Sequence, residues 1–175
     1  SVHRRAENRL YEFATEVKSL FHVLKYSDFS MKLNVQSPDR VGTDRLAAAL
    51  AARELGDPSR PVIAIDIGTA ITVDLVSSEG EFEGGAILPG TRMSAAALSA
   101  NTDLLPLIAD PLDLEPPPVV GTSTDLAIQS ALFWGTIGGI RELVSRMSQQ
   151  TDRQPRLFFT GGDAERVAPH VHGRR

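Results

Sequence analysis

A short run near the middle of the chain places an acidic residue beside a glycine turn, between two apolar segments. Asp66-Ile67-Gly68-Thr69 follows the apolar residues 62–65 and precedes alternating β-forming residues. The pattern predicts a strand, a tight turn and a second strand. Gly68 and Thr69 could then present backbone N–H groups to a phosphate while Asp66 holds an accompanying cation. An ordinary hairpin turn accounts for the same residues equally well, because Asp and Gly are common in turns.

A second segment, Gly42-Thr43-Asp44-Arg45, precedes an alanine-rich pattern that predicts a helix. Asp44 could accept the proton of a substrate hydroxyl, and Arg45 could bind a carboxylate through two parallel hydrogen bonds. Phosphoryl transfer passes through a loose transition state, so such an Asp mainly orients the hydroxyl and takes its proton late. The alternative is that Thr43 or Asp44 only caps the helix, and for this segment alone that is the more frequent explanation.

Two further segments combine glycines with the start of a helix. Gly161 and Gly162 follow the strand-like residues 157–159, so a flat ring or a phosphate could approach the backbone closely. Residues 121–124, Gly-Thr-Ser-Thr, precede a long periodic pattern in which Thr124 could cap the helix or contact a ligand. A loop without a ligand remains the more frequent explanation of the glycine pair when it is taken alone.

The elements that must position these segments follow from apolar spacing and from glycine and proline punctuation. The predicted helices cover 6–21, 46–55, 93–100 and 124–148, with another starting after Gly162. The predicted strands cover 22–25, 31–35, the two arms of a hairpin at 62–76, 81–88 and 157–159. Five prolines mark residues 105–120 as a surface loop. Strands that alternate with helices indicate the α/β class.

The long predicted helix contains three glycines, Gly135, Gly138 and Gly139. Each costs about 1 kcal/mol relative to alanine in a helix interior. We therefore expect another backbone to pack closely against them, either within the domain or across a dimer. Trp134 is predicted to belong to the core or to an interface. Apolar residues at helical spacing predict a buried stripe on the same helix, formed by Phe133, Ile137, Ile140, Val144 and Met147.

The composition of the chain excludes several classes of function. With 175 residues and a net charge of −4, it lacks the basic footprint of a nucleic-acid-binding protein. No run of about 18 apolar residues predicts a membrane span. The absence of cysteine excludes disulfides, thiolate metal sites and a cysteine nucleophile. We expect a cytoplasmic protein without nucleic-acid or membrane partners, and we expect the chain from Ser1 to Arg175 to be cut at both ends.

In this order, the segments resemble the type III pantothenate kinases, a family also described as Bvg accessory factor-like. The resemblance covers nearly the whole chain, and the combination of segments is more specific than any one of them. The matching segments are PDRVGTDR at 38–45, DIGTAIT at 66–72, GGAILPG at 84–90, GTST at 121–124 and TGG at 160–162.

The resemblance implies an actin-like, sugar-kinase-like (ribonuclease H-like) α/β fold of two duplicated domains. Residues 1–40 would be a remnant of the N-terminal domain with its connecting segment. Residues 41–175 would be the C-terminal ATPase domain, truncated at its end. The chain would thus represent mainly the second domain of the pair.

The same resemblance implies an activity, cofactors and an assembly. The family transfers the γ-phosphate of ATP to the hydroxyl of pantothenate, which gives 4'-phosphopantothenate in the first step of coenzyme A biosynthesis. It uses a divalent cation such as Mg²⁺ and a monovalent cation, K⁺ or NH₄⁺. It is expected to form a homodimer with pantothenate near the subunit interface.

Each family role can be transferred to a matching position of this sequence. Asp44 corresponds to the proton acceptor, and Asp66 to the ligand of the monovalent cation. The residues that correspond to the substrate-binding segment are Gly42, Thr43, Arg45 and Thr124. Those that correspond to the ATP-binding segments are Gly68, Thr69, Gly161 and Gly162.

The sequence also departs from the family pattern. Thr43 replaces the usual alanine, Val35 stands where a tyrosine lines the substrate pocket, and Ile71 replaces a frequent threonine. The first phosphate motif of the family, Asp-x-Gly-Asn-Thr, does not occur in these residues. Its absence supports a second hypothesis, a non-catalytic accessory or regulatory protein on the same scaffold. A third hypothesis is a kinase or phosphatase of the same superfamily with another acceptor, against which the segment 42–45 speaks.

Overall fold

The computed structural model describes residues 4–20, 22–112 and 115–171, with five α-helices and four β-strands in these ranges. The helices are α1 (Arg4–Glu16), α2 (Thr43–Leu55), α3 (Thr91–Ala100), α4 (Thr124–Ser148) and α5 (Ala164–Val171). The strands are β1 (Val62–Ile67), β2 (Ala70–Val76), β3 (Phe82–Pro89) and β4 (Arg156–Thr160). None of the described helices is long and apolar enough to cross a membrane.

The four strands form one sheet in the order β3-β2-β1-β4. β1 pairs antiparallel with β2, β2 pairs antiparallel with β3, and β1 pairs parallel with β4. In the parallel pair Asp66 lies opposite Thr160, and in the hairpin it lies opposite Thr72. Because parallel strands end at the same edge of a sheet, the residues that follow β1 and β4 are neighbours.

Helices cover both faces of the sheet. Side chains along β2 point alternately to the two faces, so each residue of β2 can be assigned to one of the two helix layers. Its apolar residues Ile71, Val73 and Leu75 belong to a core cluster shared with α4 and α5. The opposite face packs against α2 and includes Val76. Asp74 lies on that second face, where it is fully buried. The mixed α/β architecture predicted from the sequence is confirmed.

The central elements match the sequence prediction closely. The hairpin and α4 have the predicted bounds, and the 105–120 segment is loop in its described part. The second helix begins at Thr43 instead of residue 46, so Asp44 and Arg45 lie inside its first turn. Its C-terminal neighbour Gly56 ends it, as predicted.

The N-terminal predictions were less accurate. The predicted helix 6–21 ends at Glu16 because Lys18 adopts a left-handed conformation with φ of 52°. The Ser19 N–H then bonds to the Ala14 carbonyl oxygen at 2.8 Å, which closes the helix end. No strand forms at 22–25, and at 31–35 only Leu33 makes a bridge, to Phe82 at the edge of β3.

The glycines of α4 lack the predicted backbone partner within the described residues. A methyl group added at Gly135 or Gly138 would meet no atom within 4 Å, and one at Gly139 would meet a Leu88 side chain at 3.3 Å. The intradomain explanation is therefore wrong for Gly135 and Gly138, and packing across a dimer stays a prediction. Of the predicted stripe, Phe133, Ile137 and Ile140 are buried, while Val144 and Met147 are partly buried. Trp134 is partly buried and donates to the Pro117 carbonyl oxygen.

We expect Gly135→Ala to raise the free energy of unfolding by up to about 1 kcal/mol, because the helix gains propensity and the space is open. Gly85→Ala is the opposite case, since its methyl group would collide with the Val73 carbonyl oxygen and the Asp74 carboxylate. We expect Gly85→Ala to lower the free energy of unfolding by about 1–3 kcal/mol. Urea denaturation of both variants tests the pair. A destabilised Gly135→Ala would mean that another backbone occupies this helix face.

Candidate active site

The turn between β1 and β2 is stabilised by a hydrogen bond from the residue that follows β3. The Gly68 N–H donates to the Ala70 carbonyl oxygen at 3.1 Å, and the Gly90 N–H donates to the Thr69 carbonyl oxygen at 3.0 Å. A side chain at Gly90 would collide with the carbonyl oxygens of Gly68 and Thr69, so only glycine fits there. Thr69 is exposed, and its N–H and hydroxyl donate no hydrogen bond within the described residues.

The second glycine loop lies directly against this turn. Gly161 follows β4 with a φ of +96°, and a side chain there would collide with the Asp66 carboxylate and the Ile67 backbone. The Asp163 N–H donates to the Ile67 carbonyl oxygen at 3.0 Å. The parallel pairing of β1 with β4 therefore brings together two segments that the sequence predicted for the same ligand.

A network of ion pairs ties this loop to the start of α3. The Arg92 guanidinium lies 3.3 Å from the Asp163 carboxylate, whose side chain is only 7% exposed. Arg92 also lies 3.6 Å from Asp110, which Arg166 approaches at 3.2 Å. This network was not predicted, because Arg92 and Asp163 are 71 positions apart along the chain.

The first turn of α2 presents Asp44 on its exposed side. Gly42 is the N-cap residue and offers no side chain, so the alternative that Thr43 or Asp44 occupies the cap position is wrong. One Asp44 carboxylate oxygen accepts a hydrogen bond from the Arg45 N–H at 3.0 Å. A side chain at Gly42 would collide with that oxygen.

Asp44 borders two separate cavities. One, of about 370 Å³, lies between α2 and the ends of β1 and β4, and its lining includes Asp66 and Thr160. The other, of about 400 Å³, is lined by Lys25, Tyr26 and residues 39–44. The Asp44 carboxylate therefore lies between a space that reaches Asp66 and Thr160, next to the second glycine loop, and a space lined by Lys25 and Arg40 together with Asp39.

Asp66 is a half-buried carboxylate in an acidic environment. Burial raises its pKa above the ordinary value, and the negative charges of Asp44 and Asp74 raise it further. No Lys, Arg or His among the described residues pairs with it. A bound cation would remove this electrostatic penalty, so the donor chemistry fits the predicted cation site. Within the described ranges, no three His, Cys, Asp or Glu side chains are grouped as a metal site.

Arg45 is bound to Asp74, a residue that the sequence analysis missed. The Arg45 Nε atom lies 3.1 and 3.2 Å from the two carboxylate oxygens of Asp74, and Nη2 makes a further short bond. The side chains are 16% and 1% exposed, respectively. Arg45 lines neither cavity that Asp44 borders. A carboxylate in the middle of an otherwise apolar strand was the only available signal of this pair.

The remaining predicted residues lie apart from Asp44. Thr124 opens α4 on the opposite face of the sheet and lines neither cavity. Ser123, not Thr124, caps this helix, because its hydroxyl oxygen accepts the Leu126 N–H at 3.2 Å. The role of Thr124 as a substrate contact stays a prediction. Val35 packs beside the apolar core under α2, and Tyr26 supplies the aromatic side chain of the second cavity.

An α/β sheet that brings together two glycine turns and two carboxylates at one edge is typical of proteins that bind phosphates. The comparison with protein families narrows this class. The family model described as type III pantothenate kinase matches residues 1–146. The chain belongs to the type III pantothenate kinase family, as its motifs predicted.

Curated relatives agree with this family. The chain is 38% identical over 135 residues to a type III pantothenate kinase of Gluconobacter oxydans, which covers 77% of the chain and 48% of the relative. It is 35% identical over 162 residues to that of Persephonella marina, with 91% and 61% covered. It is 38% identical over 155 residues to that of Zymomonas mobilis, with 89% and 55% covered. The chain thus spans about half the length of these relatives.

We expect Asp66→Asn to stabilise the protein at neutral pH in buffers without potassium or ammonium. The folded-state pKa of Asp66 lies above its unfolded value of about 4. Its ionised form therefore destabilises the fold above the folded pKa, and the effect vanishes below about pH 4, where both states are protonated. Thermal denaturation from pH 4 to 8 should show a gain in Tm that disappears on acidification.

Asp57→Asn is the control, for which we expect a change in Tm of the opposite sign. Hydrogen bonds from the Ser59 N–H and hydroxyl lower the pKa of Asp57. Its ionised form therefore stabilises the fold at neutral pH, and that contribution is lost as the pH falls through the folded pKa. The substitution should lower Tm at neutral pH. A lower Tm for Asp66→Asn under the same conditions would contradict the raised pKa.

Proposed function

We propose that this chain carries the proton acceptor and part of the nucleotide site of a pantothenate kinase. The reaction transfers the γ-phosphate of ATP to the hydroxyl of pantothenate, the first step of coenzyme A biosynthesis, in the cytoplasm. The observation that supports it best is the position of Asp44 between two cavities. One cavity is lined by Asp66 and by Thr160, the residue before the Gly161 turn. The other is lined by Lys25 and Arg40, which would attract a negatively charged acceptor, and also by Asp39.

Asp44 orients the acceptor hydroxyl toward the phosphate and receives its proton. The O–H bond of the acceptor breaks as its oxygen bonds to the γ-phosphorus, and the bond from phosphorus to the bridging oxygen of ATP breaks to release ADP. In a loose transition state the proton leaves late, so Asp44 mainly orients the hydroxyl before it takes the proton. The exposed position of Asp44 in the first turn of α2 is consistent with this role.

The nucleotide is proposed to bind at the joined glycine turns. Thr69 offers its N–H and hydroxyl to phosphate oxygens, beside Gly68. Gly161 and Gly162 lack side chains, so the nucleotide can approach the backbone that follows β4. The contact of Gly161 with Asp66 and Ile67 supports a single site for both segments.

Two kinds of cation are proposed to accompany the nucleotide. Asp66 would hold a monovalent cation, K⁺ or NH₄⁺, which would supply positive charge near the phosphates. Its raised pKa and the lack of a cationic partner among the described residues support this assignment. A divalent ion such as Mg²⁺ commonly retains several waters and binds mainly through substrate phosphates.

The acceptor is proposed to occupy the cavity of about 400 Å³, a size typical of small-molecule sites. Gly42 and Thr43 form part of its wall. Arg45 is not part of this wall, because its side chain is bound to Asp74. Its Nη1 makes no hydrogen bond within the described residues and is the donor proposed for an acceptor carboxylate.

A homodimer and an actin-like fold complete the proposal. Thr124 and Asp44 lie on opposite layers of the domain, so their contact with one pantothenate would require Thr124 from a second copy. The sheet order β3-β2-β1-β4 is consistent with the actin-like, ribonuclease H-like fold, with residues 41–175 as its second domain.

We expect Asp44→Asn to abolish phosphoryl transfer while leaving the fold intact. The side chain is exposed, so its replacement removes the proton acceptor without opening a cavity. The measurement is a coupled assay of ADP release with ATP and pantothenate, together with the Tm, on the protein made from its complete reading frame.

Asp125→Asn is the matched control for this experiment. Asp125 is also an exposed carboxylate at the second position of a helix, in α4, and it lines neither cavity. It should retain wild-type turnover. Normal turnover in Asp44→Asn would refute the proposed role of Asp44, and a wild-type protein without pantothenate-dependent ADP release would refute the function itself.

A further inference from the structure

The carboxylate of Asp74 is fully buried on the central strand β2. Its neighbours on this face of the sheet are the apolar residues Ala64 and Val76 and the hydroxyl of Thr72. Removing a charge from water is expensive, and burial accordingly raises the pKa of Asp74. Replacing a buried ion pair as a whole by apolar side chains of similar volume is often neutral or stabilising. Stability alone therefore does not account for a carboxylate here.

Asp74 also contacts a residue of the helix layer that packs over this face of the sheet, and that residue is next to the proposed proton acceptor. Arg45 Nε contacts both carboxylate oxygens of Asp74 and Nη2 donates to one of them, so the two donors fix the position of the guanidinium. Arg45 follows Asp44 in the first turn of α2, and its N–H donates to the Asp44 carboxylate. The pair thus anchors the first turn of α2, which carries the Asp44 carboxylate, to the sheet.

The neighbouring strand β3 leaves the space that the Arg45 and Asp74 side chains occupy. Gly85 lies opposite Asp74 in the register of β2 with β3. A side chain at Gly85 would collide with the Asp74 carboxylate. The ring of Phe82 lies 5.7 Å from the Arg45 guanidinium and covers it from the same strand. Three elements, β2, β3 and α2, therefore contribute to one buried contact.

We propose that Asp74 is a positioning residue for phosphoryl transfer, which acts through Arg45 to hold the first turn of α2 and the Asp44 carboxylate between the two cavities. Asp74 itself touches neither substrate. This inference rests on the proposed function for its kinetic test, and it has a structural test that does not.

The kinetic test uses Asp74→Asn, assayed at a temperature at which near-ultraviolet circular dichroism shows it to be fully folded. We expect kcat/KM for pantothenate to fall about 10- to 100-fold, because a small displacement of a reacting group has effects of this size. The KM for ATP should stay unchanged, since the glycine turns lie at another part of the sheet. A folded Asp74→Asn protein with wild-type kcat/KM would overturn the proposal.

The double variant Arg45→Met with Asp74→Leu separates positioning from stability. Apolar side chains of similar volume should restore the Tm that Asp74→Asn loses. The kcat at saturating pantothenate should remain low, whereas loss of an Arg45 contact with the acceptor alone would raise KM and leave kcat unchanged. If the double variant recovered both Tm and turnover, the pair would be purely structural. Arg53→Met is the matched control, because Arg53 anchors the far end of the same helix to the Ser78 carbonyl oxygen. It should lower Tm without changing kcat/KM.

Amide hydrogen exchange gives the readout that is independent of activity. Asp74→Asn should accelerate exchange at residues 45–47, in the first turn of α2, and leave the last turn unchanged. Arg53→Met should do the reverse. Unchanged exchange at 45–47 would overturn the inference even if turnover fell. The wild-type protein could fail to phosphorylate pantothenate while Asp74→Asn still accelerates exchange at residues 45–47. That result would leave the anchoring role in place and refute only the proposed function.

Discussion

The parallel pairing of β1 with β4 is the contact on which the candidate site depends. The hairpin of β1 and β2 is local, whereas β4 reaches the sheet only after α3 and α4, the crossover that a parallel pair requires. This pairing places the second glycine loop beside Asp66, where only a residue without a side chain fits. Without it, two glycine segments would remain separate turns, and neither would form a site.

The position of α2 on the sheet results from two different forces. Small apolar residues, Ala49 and Ala52, let the helix approach the sheet closely and bury Leu46. Apolar packing is non-directional, so it does not by itself fix the rotation of the helix. The directional contact of Arg45 with Asp74 supplies that constraint at the end of the helix where Asp44 lies. Fold stability and site geometry are thus controlled by neighbouring but distinct contacts.

Local signals predicted the parts of the fold that local interactions determine. The hairpin and α4 were predicted with the bounds that the structure has, because apolar spacing and turn residues define them along the chain. The strand expected at 22–25 did not form, since a strand needs a partner that its own sequence does not reveal. The bond between Arg45 and Asp74 joins residues 29 positions apart, and the network of Arg92 with Asp163 joins residues 71 apart. Such tertiary pairs leave no periodic signal, which is why the glycine segments were found from the sequence and the contacts that hold them were not.

The two cavities beside Asp44 are built from different parts of the chain. The one that includes Asp66 is assembled from a helix and two strands, so any change in its walls alters the sheet. The other is lined by residues 24–26 and 39–44, which belong to segments before α2 and to its first turn and not to the sheet. Under the proposed function, substitutions in these segments can change the choice of acceptor while the sheet that carries Asp66 and the glycine turns stays the same, which makes acceptor preference the more evolvable property of this scaffold.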